Sequence, residues 1–216
     1  MPDISPLIFR QYDIRGTVGQ DLTVEVAELV GRAFGTLLGR QGGAAAAVGR
    51  DCRLSSPEMH EALIQGILST GIDVMDTGLH PTPVLDYALF NLPVQGGVMV
   101  TGSHNPPEMN GFKVAVGKST LHGAGIQALL RRIVEDRLAS GTGTVETHDI
   151  VTPYRAYVRE NLRFGPRRLK VVVDAGNGTG GVIAVPLFRS LGVDVVPLFE
   201  EMDGRFPNHH PDPTVE

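Results

Sequence analysis

The 216-residue sequence predicts an α/β fold in which a mixed sheet packs between helices, with one complete domain over residues 1–143 and the start of a second, similar domain over residues 144–216. Three observations predict it. Apolar runs of strand length alternate with helical periodicities in the order strand, loop, helix. A Gly/Ser/Thr-rich stretch, Ser140 to Thr144, breaks that alternation and reads as a linker with a domain boundary beside it. Beyond it only one strand-helix-strand unit remains, and such a unit cannot bury both faces of its strands. Residues 150–216 therefore either pack on the first domain or belong to a longer chain.

The elements follow in order. Between Val24 and Leu38, apolar Val26, Val30, Ala33 and Leu37 recur at helical spacing, and Gly42-Gly43 stops the helix. Ala44 to Arg50 reads as a strand on the strength of its glycine flanks, although an alanine run alone favours helix. Ser55-Ser56-Pro57-Glu58 offers a capping serine and a first-turn proline to a helix that Gly71 closes, before the strand Ile72 to Asp76. Pro81 to Leu92 reads as a short helix, Gly96 to Thr101 and Gly111 to Val116 as strands flanking a loop, and Gly123 to Leu138 as an amphipathic helix. Thr152-Pro153 caps a helix running to Leu162. A strand in LKVVVD, a helix to Leu191 and a strand in VDVVPLF complete the last unit.

Composition narrows the function. A 42% hydrophobic content supports a real core, and 19 basic against 24 acidic residues, net -5, supply no field for a nucleic acid duplex or an anionic membrane surface. Anionic small ligands remain open through a local cationic site. The single cysteine, Cys52, excludes an internal disulfide, suits a reducing cytoplasm and reads as a small apolar side chain. Met1 to Gly16 lacks the charged start and apolar run of a signal peptide, and no later run reaches the roughly 18 to 20 apolar residues of a membrane span.

The chemistry concentrates in VMVTGSHNPPEMNGFKV, Val98 to Val114. Ser103 stands just past a buried strand, where Gly102 permits unusual backbone angles and Pro106-Pro107 stiffen the exit. A hydrolase elbow needs G-x-S-x-G on a strand-to-helix turn, and the spacing here fails. His104 is a poor base for Ser103, since adjacent side chains on extended backbone diverge. A serine can instead carry a phosphoryl group, which brings about -1.5 to -2 charges and calls for cations. The Asn110-Gly111 turn is expected to fold Lys113 back toward the serine, and Arg10 and Arg15 bracket QYDI near the start as further phosphate partners. Residue mechanics leave a turn cap and a phosphoryl carrier both open.

Other signals are weaker. Gly176 to Gly181, GNGTGG, follows a strand, opens a helix and precedes Glu200-Glu201, so a dinucleotide loop and a simple tight turn both fit. His209-His210 invites a metal, but neighbouring histidines on extended chain diverge and no Cys, Asp or Glu stands at ligand spacing, which favours a solvated or loop-packing role. Arg50-Asp51-Cys52-Arg53 reads as a loop ion pair, or as a phosphate contact.

Six stretches then align with one family. TGSHNPPEMNGFKV (Thr101 to Val114), FRQYDIRG (Phe9 to Gly16), VGRDCRLSS (Val48 to Ser56), GLHPTPVL (Gly78 to Leu85), VDAGNGTGG (Val173 to Gly181) and DGRFPNHHPDP (Asp203 to Pro213) resemble the alpha-D-phosphohexomutases, in the family's order. The YDIRG and GFK forms resemble the bacterial phosphomannomutase/phosphoglucomutase branch more than the phosphoglucosamine mutase branch. The resemblance implies a cytoplasmic enzyme acting on hexose 1-phosphates and 6-phosphates through a phosphoserine and a glucose or mannose 1,6-bisphosphate. It implies that Ser103, His104, Arg15 and Lys113 carry catalysis, that Tyr12, Asn105 and Arg10 contact substrate, and that Ser103 meets Mg2+ through its phosphate. It also makes Gly176 to Gly181 a structural turn. Family members are longer, and their Asp-Gly-Asp-Gly-Asp-Arg metal loop does not occur in this sequence. The chain is therefore expected to be an N-terminal portion that does not turn over alone. Phosphoglucosamine mutase is the alternative within the family, and a non-catalytic phosphosugar-binding module and a dinucleotide-dependent oxidoreductase are the alternatives of other classes.

Overall fold

Side chains alternate between the two faces of a strand, so a buried sheet needs cover on both. The computed structural model describes residues 4–215, and the readings that touch Met1 to Asp3 and Glu216 lie outside the described residues. The main sheet holds β1 (Ile14–Thr17), β2 (Ala45–Arg50), β3 (Asp73–Leu79), β4 (Gly96–Val100), β5 (Met109–Val116), β6 (Ser119–Thr120) and β7 (Val145–Thr147). Its order is β1-β5-β4-β2-β3-β7, with β6 on β5. Pairings at the β5 end are antiparallel and those from β4 to β7 are parallel, which makes the sheet mixed, as the sequence predicts.

Helices α1 (Val24–Arg40), α2 (Ser56–Leu68) and α4 (Ala124–Val134) cover one face. Ala46, Val48, Val74, Val98, Val100, Phe112 and Val114 project into that core from the strands, joined by Phe34, Leu63 and Leu129 from the three helices. Ala47 and Met99 point the other way, toward Val84, Leu85 and Ala88 of α3 (Thr82–Asn91). Each large apolar side chain so buried contributes about 1.5–3 kcal/mol relative to exposure. Burial at the sheet centre is also why the alanine run forms a strand against its helical propensity.

Several local expectations change. Ser55 does not cap α2: its side chain makes no cap bond and instead accepts from Asn110 Nδ2 at 2.9 Å, as Ser56 does at 3.0 Å. Asn110-Gly111 is not a turn but part of β5, opposite Gly16 and Arg15 of β1. The fully buried Asn110 amide takes these hydroxyls because a buried donor must be satisfied. Helix α4 stops at Val134, before the left-handed Asp136. Helix α5 (Val151–Asn161) is capped by Asp149, whose Oδ1 accepts from Thr152 N at 3.1 Å; Thr152 itself lies inside the helix.

The small polar stretch before α5 is pinned rather than loose. Gly141 and Gly143 donate their N–H groups to Ser69 O and Leu68 O, both at 2.8 Å, satisfying carbonyls that α2 leaves orphaned at its end. Thr144 donates from its N and Oγ1 to Asp73 Oδ1 at 2.7 and 2.9 Å, and the chain then runs on as β7 beside β3.

The last unit is β8 (Lys170–Asp174), α6 (Gly180–Ser190) and β9 (Asp194–Leu198), with its two strands parallel. Helix α6 covers one face, while Val172 on the other is 61% exposed. This unit, with α5 before it and the turn after it, packs on the first through Ile150 and Ile183, through Tyr154 edge-on to Tyr87 at 5.5 Å, and through Gly204. A Cβ at Gly204 would stand 2.5 Å from Cys52 O, so only glycine lets the two backbones touch there. His209 packs its loop as expected: its ring lies edge-on to Phe199, Nδ1 bonds His210 O at 2.8 Å and Nε2 bonds Asp174 Oδ1 at 3.0 Å.

Removing the helix cap by Asp149→Ala is expected to lower stability to urea by about 1 kcal/mol, with Thr152→Ala, which removes a side-chain partner of Asp149 but leaves the bond to the Thr152 amide, lowering it less. The bonds to His210 O and Asp174 hold the His209 pKa above its ordinary 6.5, and the bond from His209 holds Asp174 below its ordinary 3.8. The pair therefore contributes stability across the interval between, lost upward as His209 deprotonates and downward as Asp174 protonates. An NMR titration should place the His209 midpoint above the usual histidine value, with Asp174→Asn lowering it only in part because the His210 carbonyl remains.

Candidate functional site

Beyond β2 the chain places a carboxylate and a guanidinium two residues apart, and a loop assembles on them. Asp51 accepts from Arg53 N at 3.0 Å, Arg53 Nε at 3.2 Å, Ser56 Oγ at 2.5 Å and Thr101 Oγ1 at 2.7 Å. Arg53 is 1% exposed, so its charge must be met inside the protein. Its Nη1 donates to Pro106 O at 2.6 Å and Met109 O at 3.0 Å, and its Nη2 to Ser103 O at 2.9 Å and Asn105 O at 2.7 Å. Four carbonyls of one loop converge on one side chain. Burial lowers the Arg53 pKa from its ordinary value while Asp51 opposes the shift, and the guanidinium stays protonated. The ion-pair reading of this cluster holds, but the carbonyl clamp is a function the sequence did not signal beyond the Asp-x-Arg spacing.

The clamp presents Ser103. Its N–H donates to Thr101 Oγ1 at 2.9 Å and its carbonyl is held by Arg53, while the side chain is exposed. The unusual backbone angle belongs to Ser103 itself, at φ +56°, and not to Gly102. Gly102 is needed for space instead: a Cβ there would stand 2.5 Å from Arg53 Cζ. A non-glycine residue in this region costs on the order of 1–3 kcal/mol, which the bonds on either side of Ser103 offset. The same angle corrects the expectation for His104. The backbone is not extended, so the two side chains converge, and Ser103 Oγ lies 3.4 Å from His104 Nδ1, near the outer limit of a hydrogen bond. Asn105 turns inward: its N and Nδ2 donate to Gly102 O at 3.1 and 2.9 Å, so its amide shapes the loop.

Ser103 borders two cavities between the units. One, of about 410 Å3, is lined by Met99, Thr101 and His104 and by Gly178 and Thr179 across from them. The other, of about 580 Å3, includes Asp174, His209 and Asp212. Lys113 faces Met99 in the β4–β5 register, so it leaves the sheet on the α3 side. There it opposes the burial that raises the Asp86 pKa. Arg15 is nearly buried in β1, paired with Asp13, and its Nε is buried without a partner. Its charge reaches Arg53. Arg10 and Tyr12 are exposed in the segment before β1, Tyr12 at 71%. The structure thus gathers Ser103, His104 and Asn105 in one loop, with Arg15 near its anchor. Of the predicted site residues only Ser103 and His104 line these cavities; Arg10, Tyr12, Arg15, Asn105 and Lys113 do not.

The remaining candidates have partners of their own. Burial and the neighbouring Asp51 push the Cys52 thiol up to about 11, which makes it a poor nucleophile. In the glycine loop, Asn177 is buried and left-handed; its N bonds Phe199 O, its Nδ2 bonds Glu201 O, and its carbonyl accepts from Asp203 N. Asn177 thus ties the loop to its own chain while Gly178 borders both Ser103 cavities, and Glu200 leans toward Arg189 at 4.0 Å. Among the described residues no group of three or more His, Cys, Asp or Glu gathers to hold a metal. Mg2+ takes about six oxygens, so the side chains present do not by themselves fit that ion; Asp203 is occupied by Arg205 at 2.6 Å. No helix among the described residues is long and apolar enough to cross a membrane.

Comparison with known proteins places this geometry. Residues 6–138 match the model for phosphoglucomutase/phosphomannomutase alpha/beta/alpha domain I, and residues 152–216 match that for alpha/beta/alpha domain II. The chain is 51% identical over 212 residues to a phosphomannomutase/phosphoglucomutase of Pseudomonas aeruginosa, covering 98% of this chain and 46% of that protein. It is 44% identical over 216 residues to a phosphoglucomutase of Neisseria meningitidis, covering 99% and 47%. A crystal structure of a phosphoglucomutase/phosphomannomutase family protein from Burkholderia thailandensis superposes with a TM-score of 0.94 at 44% identity, over 98% of this chain and 48% of that one. The chain therefore spans about half the length of the relatives it matches. Matches to both domain models, covering nearly all of its residues, show that the chain belongs to the phosphoglucomutase/phosphomannomutase family.

Proposed function

We propose that the whole protein interconverts hexose 1-phosphate and hexose 6-phosphate, of glucose, mannose or both, by way of a phosphoryl group on Ser103 and a bound 1,6-bisphosphate. The observation that carries the reading is the presentation of Ser103: its backbone is fixed on both sides while its hydroxyl, with His104 Nδ1 3.4 Å away, is exposed beside two cavities. Phosphoryl transfer asks for positioning and charge stabilisation more than for a triad. In the first half, the P–Oγ bond of phosphoserine breaks as a sugar hydroxyl forms a new P–O bond, and the proton that hydroxyl releases is balanced by one taken up at Ser103 Oγ. In the second half, the other phosphate of the bisphosphate returns to Ser103 Oγ, which gives up its proton as the sugar oxygen gains one.

The residues divide these tasks. His104 Nδ1, 3.4 Å from Ser103 Oγ, is close enough to exchange a proton or to donate to a phosphate oxygen. Arg15 and Lys113 supply positive charge, Arg15 with a buried Nε–H still without a partner. Arg10 and Tyr12, exposed before β1, are assigned to the phosphate and the sugar. Asn105 acts through the shape of the loop. Mg2+, included in this reading on the family resemblance, needs carboxylates besides any phosphate oxygen on Ser103, and the chain's own contribution to charge stabilisation is cationic. The partners are hexose phosphates and glucose or mannose 1,6-bisphosphate, with no nucleic acid or membrane, and the free Cys52 suits a cytoplasmic setting.

The test is phosphoryl acceptance. Glucose 1,6-bisphosphate carrying labelled phosphate should leave one phosphate on the protein, absent from Ser103→Ala, and in the whole protein Ser103→Ala should lower mutase activity by roughly 10^3-fold or more. Label that survives Ser103→Ala would remove the carrier role. Saturable binding of the bisphosphate with no label on any residue would instead identify a phosphosugar-binding module.

A further inference from the structure

The clamp on the Ser103 loop has a component from the second unit. A guanidinium has five N–H donors, and Arg53 uses Nε on Asp51, Nη1 on Pro106 and Met109, and Nη2 on Ser103 and Asn105. Its plane is therefore full, and only its faces remain to be covered. The Phe206 ring covers one, with its centroid 5.1 Å from Arg53 Cζ. The turn that carries Phe206 is itself fixed. Phe206 N donates to Asp203 O at 2.9 Å, Asp203 N donates to Asn177 O at 2.9 Å, and Asn177 O also accepts from Cys52 Sγ at 3.5 Å. Gly204 in the same turn rests on the Cys52–Leu54 backbone.

We propose that Phe206 is a positioning residue for the Ser103 loop: by capping the face of the Arg53 guanidinium, it couples the seating of the second unit to the geometry of the phosphoryl-carrying segment. Its consequence for catalysis rests on the proposed role of Ser103, but its mechanical part does not. An aromatic face attracts a cation electrostatically and keeps water from the carbonyl bonds in the plane beneath it. A leucine of similar bulk excludes water but lacks the quadrupole.

Amide exchange in the 216-residue chain separates this from simple packing. The N–H groups of Ser103, Asn105 and Met109 are bonded within the loop and report its closure. Phe206→Leu should accelerate their exchange roughly 2- to 30-fold, leaving Val98 and Val114 in the sheet unchanged, while Phe206→Tyr and Phe206→Trp should restore protection. Gly204→Ala, which lifts the turn but keeps the ring, should produce the same local acceleration and serves if Phe206→Leu does not fold. No change in the loop, or equal acceleration of loop and sheet, would overturn the proposal. Labelling of Ser103 should slow in the same variants that loosen the loop. If the unaltered whole protein takes no label at all, the proposed function fails while the exchange comparison still decides the role of Phe206.

Discussion

A buried positive charge is the constraint on which the site depends. Arg53 lies between the sheet and the Ser103 loop with almost no access to water, and a guanidinium there is tolerable only if its donors are met. One carboxylate and four carbonyls meet them. The requirement then acts in reverse: carbonyls that must point at one centre fix the loop around it. Gly102 is small because the guanidinium lies against it, and Thr101 holds both Asp51 and the Ser103 amide. Ser103 takes a costly backbone angle because its neighbours leave it no other path.

That dependence explains which parts were legible in the sequence. Alternation in VMV and FKV, helical spacing from Val24, and turn residues such as Gly71 are local patterns, and they translate into a mixed sheet between helices because burial rewards the same periodicity that the sequence displays. The errors are local rules overruled by distant partners. Ser55 had the position of a cap, but the buried Asn110 amide claimed its hydroxyl from 55 residues away. Asn110-Gly111 had the composition of a turn, but pairing with β1 drew it into a strand. Ser140 to Thr144 is not such an error: small polar residues can join two units and still reach helix-end carbonyls closely, and here the stretch is tied to the end of α2.

The same distinction applies within the site. The exposure of Ser103 follows from a strand end and a proline-stiffened exit, both visible in sequence. Its relation to His104 does not, because it turns on a left-handed angle that a serine adopts only under outside constraint. Arg53 contacts loop atoms 50 to 56 residues away. Backbone carbonyls carry no residue identity, so no pattern of residue types announces such a clamp. What was visible was an aspartate and an arginine two apart, which commonly means no more than a surface ion pair.

A rigid carrier has a consequence for the proposed reaction. A 1,6-bisphosphate must present first one and then the other of its phosphates to the same oxygen, so either the serine or the ligand has to move. Ser103 is held through its amide and its carbonyl, and the segment that follows is held at Asn105, Pro106 and Met109. Moving the serine would break bonds to a buried guanidinium, whose exposed or unpaired alternatives are costly. Turning the ligand breaks only contacts at the cavity surface. The two cavities that border Ser103, of about 410 and 580 Å3, give it room beside a stationary hydroxyl. Under the proposed function the geometry therefore assigns the motion to the sugar and the fixed point to the serine.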